Sequence, residues 1–402
     1  MSLRGGDLVR VRGIVGVSSV LLLLLAAAGC GHVPSGKSHG HRHGTVFQAS
    51  AQDSATLPQG YGPITSLAGD PDGSGVWFWD DTKSNLSIFR VDSQGTVKSW
   101  PVLSGAANQF QAISGFTVTS PGMAWLGINS TLTRLDTNSG SAQTWQIPAP
   151  ADNPAAESYV PQGPKGQHLV QGIAVAPDGS HVAIAMSNAS SVELFDVSAG
   201  TFTQIAMPAT SDDPEAVAYN PDGTLGIALA NYTTHREDSA LIVGPGGAGS
   251  PAVVPVADSS SVTSDGTSGF IVGSSHPSLV TTAGTATPIA VPPTPLFPAQ
   301  TGRAITVMPD GDLAATTSAG VLEFPANASS VASATSASLT LQLPAEQCQR
   351  YAGSGAGGPP PTPQPSPTGL CHPEADAMTV DGAGGVWVVP GTGGASVERL
   401  GS

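Results

Sequence analysis

One short phrase recurs seven times along this chain of 402 residues. A polar residue is followed by a small one, an apolar one and another small one, and then by a turn rich in Asp, Pro and Gly. The fourth copy reads Glu215-Ala216-Val217-Ala218-Tyr219, then Asn220-Pro221-Asp222-Gly223. The apolar column is Leu67, Phe116, Ile173, Val217, Val262, Ile305 and Met378. Ser66, Gly115, Gly172, Ala216, Ser261, Ala304 and Ala377 stand before it. Ala68, Thr117, Ala174, Ala218, Thr263, Thr306 and Thr379 stand after it. The shortest steps between copies are 44, 45 and 43 residues, from 173 to 217, 262 and 305. Like units at that period make an array, and the repeat constrains the fold more than any other feature.

Each copy is followed by further β-rich runs. Val182-Ala183-Ile184-Ala185 comes next in the third copy, then Val192-Glu193-Leu194-Phe195-Asp196-Val197, then Phe202-Thr203-Gln204-Ile205. Four short strands joined by Gly and Asp turns read as one propeller blade. The expected fold is all-β: a seven-bladed β-propeller of four-stranded blades, in which ring closure removes free sheet edges. The first strand of each blade lies nearest the axis, where blades crowd, and this accounts for the small residues. The last copy supplies only three strands before the chain stops. The segment Gly44 to Ser50 is expected to add the fourth and latch the ends together.

The N-terminal region reads as a leader. Arg4, Arg10 and Arg12 precede an apolar run from Ile14 to Ala28, short for a membrane span. It ends Leu25-Ala26-Ala27-Ala28-Gly29-Cys30, which resembles the lipobox of bacterial lipoproteins. The resemblance implies cleavage after residue 29, acylation of Cys30, and attachment to the outer face of the cytoplasmic membrane through acyl chains. The domain reading is therefore 1–29 signal peptide, 30–43 lipidated flexible tether rich in His, Gly and Ser, and 44–402 propeller. Removing residues 1–29, with three Arg and one Asp, leaves 11 basic against 28 acidic residues, a net charge of −17. Such a surface argues against nucleic acid as a partner.

Two insertions interrupt the array. Residues 149–167 read as a long loop. Residues 353–367 are proline-rich, and proline lacks the donor a central strand needs. Cys348 and Cys371 flank that second insertion. As an even pair in an exported protein they read as a disulfide, stabilising the fold by about 3 kcal/mol. In the tether, His39, His41 and His43 form a cluster able to bind zinc, copper or nickel, with a solvated linker as the alternative. His168, His181, His235, His276 and His372 sit at scattered repeat positions and read as surface or turn residues.

The repeat also resembles the streptogramin lyase propellers. The likeness is carried by Gly75-Val76-Trp77-Phe78-Trp79, Ile88-Phe89-Arg90-Val91, Gly95-Thr96-Val97-Lys98-Ser99-Trp100-Pro101, Ala304 to Gly311, and Leu341-Gln342-Leu343-Pro344. That family implies elimination chemistry with a His base and a Glu-held magnesium ion at the channel mouth. Here the residue pairs ending the second strands offer one carboxylate, Asp80, and no His, so no catalytic residue or cofactor is carried over.

A different column points to binding. The residues opening the innermost strands are Thr65, Ser114, Gln171, Glu215, Ser260, Arg303 and Asp376, all polar. They are expected to ring one mouth of the channel. Gln171, Glu215, Arg303 and Asp376 would receive a small zwitterionic or hydroxylated ligand, with polar strand ends meeting water as the plainer reading. The leading expectation is a lipid-anchored, monomeric, non-enzymatic binding or scaffold module in the cell envelope, with an envelope protein as the other possible partner. The alternatives are a lyase-like enzyme acting on a small molecule, and metal handling through the His tether.

Overall fold

The computed structural model describes residues 49–56, 64–104, 113–152, 168–289, 305–324, 343–344, 370–371 and 375–400, short gaps within these stretches apart. Strands dominate them. The first blade comprises Ala68–Gly69, Gly75–Asp80, Asn85–Asp92 and Val97–Ser104, each antiparallel to the next. The second comprises Ile113–Ser120, Met123–Ile128, Thr131–Asp136 and Ser141–Gln146. The third has Val170–Val175, His181–Met186, Ser191–Asp196 and Thr201–Ala206. The fourth runs from Asp212–Tyr219 to Ala252–Pro255, and the fifth from Val262–Ser264 to Ala286–Pro288.

The count of seven four-stranded blades is corrected. Six sheets of the described residues have four strands. At the sixth copy stands a three-stranded sheet, Ile305–Val307, Leu313–Thr317 and Gly320–Phe324. Leu343–Pro344 does not complete it, pairing with Leu370–Cys371 in a separate two-stranded ladder. The three-stranded sheet nevertheless keeps its place in the ring. Its innermost strand lies beside those of the fifth blade and of the last, Ala375–Val380.

The last blade is closed from the other end of the chain. Ala49–Thr56 pairs antiparallel with Ser396–Leu400, setting Ala49 opposite Leu400 and Thr56 opposite Ser396. The closing strand thus overlaps the expected segment only at Ala49 and Ser50. Gly44 to Gln48 lie outside the described residues. Two bonds tie first blade to last: Gly69 N–H donates to Thr379 Oγ1 at 3.0 Å, and Gly382 N–H to the Asp70 carbonyl at 2.7 Å.

The core lies between blades. Trp125 and Leu132 of the second blade pack with Val182, Ile184 and Phe195 of the third. Val192 of the third packs with Val217, Ile227 and Leu241 of the fourth. The same pattern joins last blade to first and fifth blade to the three-stranded sheet. Second strands read as near-continuous apolar runs because both their faces are covered in this way. Crowding at the axis accounts for the small columns. A side-chain carbon at Gly115 would meet Ile173 N at 3.0 Å, and one at Gly172 would meet Ala216 Cα at 3.4 Å. The turn phrase is equally specific: Gly223 N–H donates to the Asn220 carbonyl at 2.9 Å with φ +84°, a backbone region that favours glycine.

An internal pattern links turn to sheet. Arg90 lies opposite Trp77 in register, 5.9 Å from its ring, and donates through Nε to buried Asp70 at 2.9 Å. In the last blade Arg399 lies opposite Trp387, and both donate to buried Asp381. In the fourth blade the equivalent partner is Ile242, and the turn residue is Asn220. In these three blades a carboxylate is buried where an arginine reaches it, and an amide stands where none does.

Candidate functional site at the channel mouth

The polar column at the start of the innermost strands coincides with a repeated backbone irregularity. Registers skip from Ile113 to Gly115, from Val170 to Gly172, from Pro214 to Ala216 and from Ala375 to Ala377. Ser114, Gln171, Glu215 and Asp376 are the skipped residues. Each is a bulge position, where one extra residue leaves the ladder and its side chain is re-aimed. Bulges at one level in four sheets set these residues apart from ordinary strand ends.

The level is shared through close backbone contact. A side-chain carbon at Gly115 would come within 3.1 Å of Gly172 C, and one at Gly172 within 3.7 Å of the Glu215 carbonyl oxygen. The second, third and fourth blades therefore bring Ser114, Gln171 and Glu215 onto neighbouring inner strands at one level. Gln171 is exposed and Glu215 half-buried. Ser260 is exposed just before the fifth blade's inner strand. The side chains of Ser114 and Asp376, and all of Thr65 and Arg303, lie outside what the structure describes.

Two further groups lie close to this level in the sequence of their strands. Asp213, two residues before Glu215, is 1 % exposed. It accepts from Ala189 N–H at 3.0 Å and from the Asn188 amide, gripping a loop of the third blade. Burial, and next the Glu215 charge, push its carboxyl up from the ordinary 3.8 to about 7. Neighbouring Asp212 accepts from Asn231 Nδ2 at 3.3 Å. The second group is His168. The expectation of a surface or turn histidine is corrected here, because the ring is buried against the Ser187 carbonyl and Asp152. Its partner Asp152 belongs to the start of the insertion after the second blade. His181, by contrast, is half-buried at a turn beside Ser180, and His276 is exposed.

Among the described residues no cluster of three His, Cys, Asp or Glu side chains could hold a metal ion. Cys30, the cluster His39, His41 and His43, Cys348 and the insertion 353–367 lie outside the described residues. Cys371 is described only as backbone, opposite Leu343. No helix among the described residues is long and apolar enough to cross a membrane.

Radial four-stranded sheets, inter-blade cores and a closed circuit of inner strands define a β-propeller. Comparison with solved structures agrees. Hydrazine synthase of Kuenenia stuttgartiensis matches with a TM-score of 0.55 at 11 % identity, over 83 % of this chain and 94 % of that one. U3-55K matches at 0.58 and 11 % identity, over 88 % of this chain and 100 % of that one. The extracellular domain of BT4673 from B. thetaiotaomicron matches at 0.53 and 11 % identity, over 89 % of this chain but only 40 % of that one. At such identity the likeness is one of fold alone. No protein-family profile matches the sequence, and no curated protein matches it either. Of what the resemblance to the streptogramin lyases implies, these comparisons support the propeller architecture.

Proposed function

We propose that this protein is a non-enzymatic binding module whose ligand site is the bulged channel mouth. The observation that carries this reading is the coincidence of the polar column with bulges in four sheets. A ladder irregularity costs pairing, and its recurrence at one level is accounted for by side chains turned toward a common space. Gln171 and Glu215 are the described members. Arg303 and Asp376 would complete the set with a guanidinium fork and a second carboxylate. One cation, two carboxylates and an amide suit a small zwitterionic or hydroxylated ligand. The three-stranded sheet at the sixth copy then serves as the seventh blade of the ring. Acylated Cys30 would hold the module on the outer face of the cytoplasmic membrane, and a Cys348–Cys371 disulfide would tie off the proline-rich insertion.

A thermal-shift screen with amino acids, betaines and sugars tests the site. Melting-temperature increases that vanish in Gln171→Ala and Glu215→Ala are expected. Hits that survive both substitutions place the site elsewhere, and an absence of hits removes the small-ligand reading in favour of a scaffold. Anchoring is tested separately: Cys30→Ala moves the chain from the membrane to the soluble fraction, and unchanged membrane retention refutes acylation at that residue.

A further inference from the structure

The insertion after the second blade is fastened to the third by a histidine whose two ring nitrogens both face acceptors. His168, with 4 % of its side chain exposed, places Nδ1 3.1 Å from the Ser187 carbonyl oxygen and Nε2 3.0 Å from Asp152 Oδ1. A carbonyl oxygen only accepts, so Nδ1 carries a hydrogen. An ionised carboxylate also only accepts, so Nε2 carries one as well. A ring with a single hydrogen would turn a lone pair toward one of the two oxygens. The 55 % exposed Asp152 side chain meets water on its other side, which leaves the pair's charges partly solvated.

Three contacts depend on this pairing. Asp152 forms a β-bridge with Ala189, and the Ser190 N–H and hydroxyl donate to the Ala151 carbonyl at 3.2 and 3.1 Å. The fastened loop, 187–190, is the one whose amides Asp213 holds from the fourth blade. The fourth blade's inner strand, which packs against Val170–Val175 and His181–Met186, carries Asp212, Asp213 and Glu215, and the third blade's strand Ser191–Asp196 carries Glu193 and Asp196. The strands Ile113–Ser120, Met123–Ile128 and Val170–Val175 carry no charged residue, and His181–Met186 carries only His181, at its far end. We propose that His168, Asp152 and the 187–190 loop form a proton-operated clasp, closed while the imidazole carries both hydrogens and released when it loses one. The clasp is independent of the ligand site and would stand if the mouth bound nothing. Its release would free the start of the insertion from the rim while leaving the inter-blade cores in place.

Hydrogen exchange at the Ser190 amide of the full chain reads the clasp directly. Protection, corrected for the intrinsic rate, is expected to fall roughly tenfold or more from mildly acid to mildly alkaline pH, the loss of a charge-assisted contact. Amides of the His181–Met186 strand should hold constant. In Asp152→Asn a side-chain N–H meets a neutral Nε2, so Ser190 should stay protected with a flat profile. A flat wild-type profile, or an Asp152→Asn variant that keeps the wild-type slope, overturns the proposal. So does a nitrogen spectrum of the His168 ring showing one hydrogen at the acid end of that range, a result that needs no substitution.

Discussion

Asp213→Asn should change how stability depends on pH. The native carboxyl sits near 7 against an ordinary 3.8, because burial and the Glu215 charge disfavour its ionised form. Native proton affinity exceeds the unfolded one, so the group's ionisation favours unfolding. The contribution of this group to stability is fullest below about pH 4, falls as pH rises toward about 7, and levels off above it. At 1.36 kcal/mol per tenfold change in proton affinity, the whole effect is about 4 kcal/mol. Asparagine keeps an oxygen for the Ala189 N–H and cannot ionise. It loses an acceptor for the Asn188 amide, at a pH-independent cost of about 1 kcal/mol. The assay is urea unfolding of both proteins at half-unit steps from about pH 4 to about pH 8, with wild-type stability subtracted from variant stability. Other groups titrate alike in both proteins and cancel. The difference should rise by roughly 2–4 kcal/mol across the window, with the variant the more stable at its upper end. Parallel curves would refute the reasoning, since they would mean Asp213 titrates as it does in the unfolded chain.

Arg90→Ala should destabilise by about 2 kcal/mol, because Asp70 is left buried without its partner, and urea midpoints measure it; an unchanged midpoint would mean that water satisfies Asp70. Deleting residues 49–56 should lower the melting temperature by several degrees, consistent with about 2 kcal/mol or more at this chain length, because it bares the edge of Ser396–Leu400. An unchanged melting temperature would show that the closing strand contributes nothing to the ring.

Much of the ring was legible in the residues. The small–apolar–small columns marked every innermost strand, since only small side chains fit beside the next blade, as at Gly115 and Gly172. The three-strand ending of the last copy called for a closing strand, and one is present, at Ala49–Thr56. The bulges were hidden because a one-residue skip leaves residue types unchanged: Gln171 and Glu215 look like polar strand ends until their register is known. His168 reads as a surface residue in the sequence because its partner lies sixteen residues back, in a segment outside the repeat. Asp213 was written openly in Asp212-Asp213-Pro214-Glu215, yet its burial follows from a loop of the neighbouring blade. The sixth copy kept its columns while Leu343–Pro344 paired elsewhere, and column counting has no view of that choice.

The closing strand bears on the order of events during biogenesis. Gly69 and Thr379, bonded to each other, are 310 positions apart, and the strand that seals the last blade lies further toward the N-terminus still. No portion of the chain that lacks Ser396–Leu400 can form that blade. The inner blades have mostly local pairings and can assemble as they emerge, whereas the seal must wait until Ser396–Leu400 has been made. Until then the N-terminal strand remains without its ladder, and the Ser396–Leu400 edge is the last to be made. A chain in which Ser396–Leu400 is not yet available would therefore be an open-ended array with two unprotected strand edges, the species most prone to join another copy of itself.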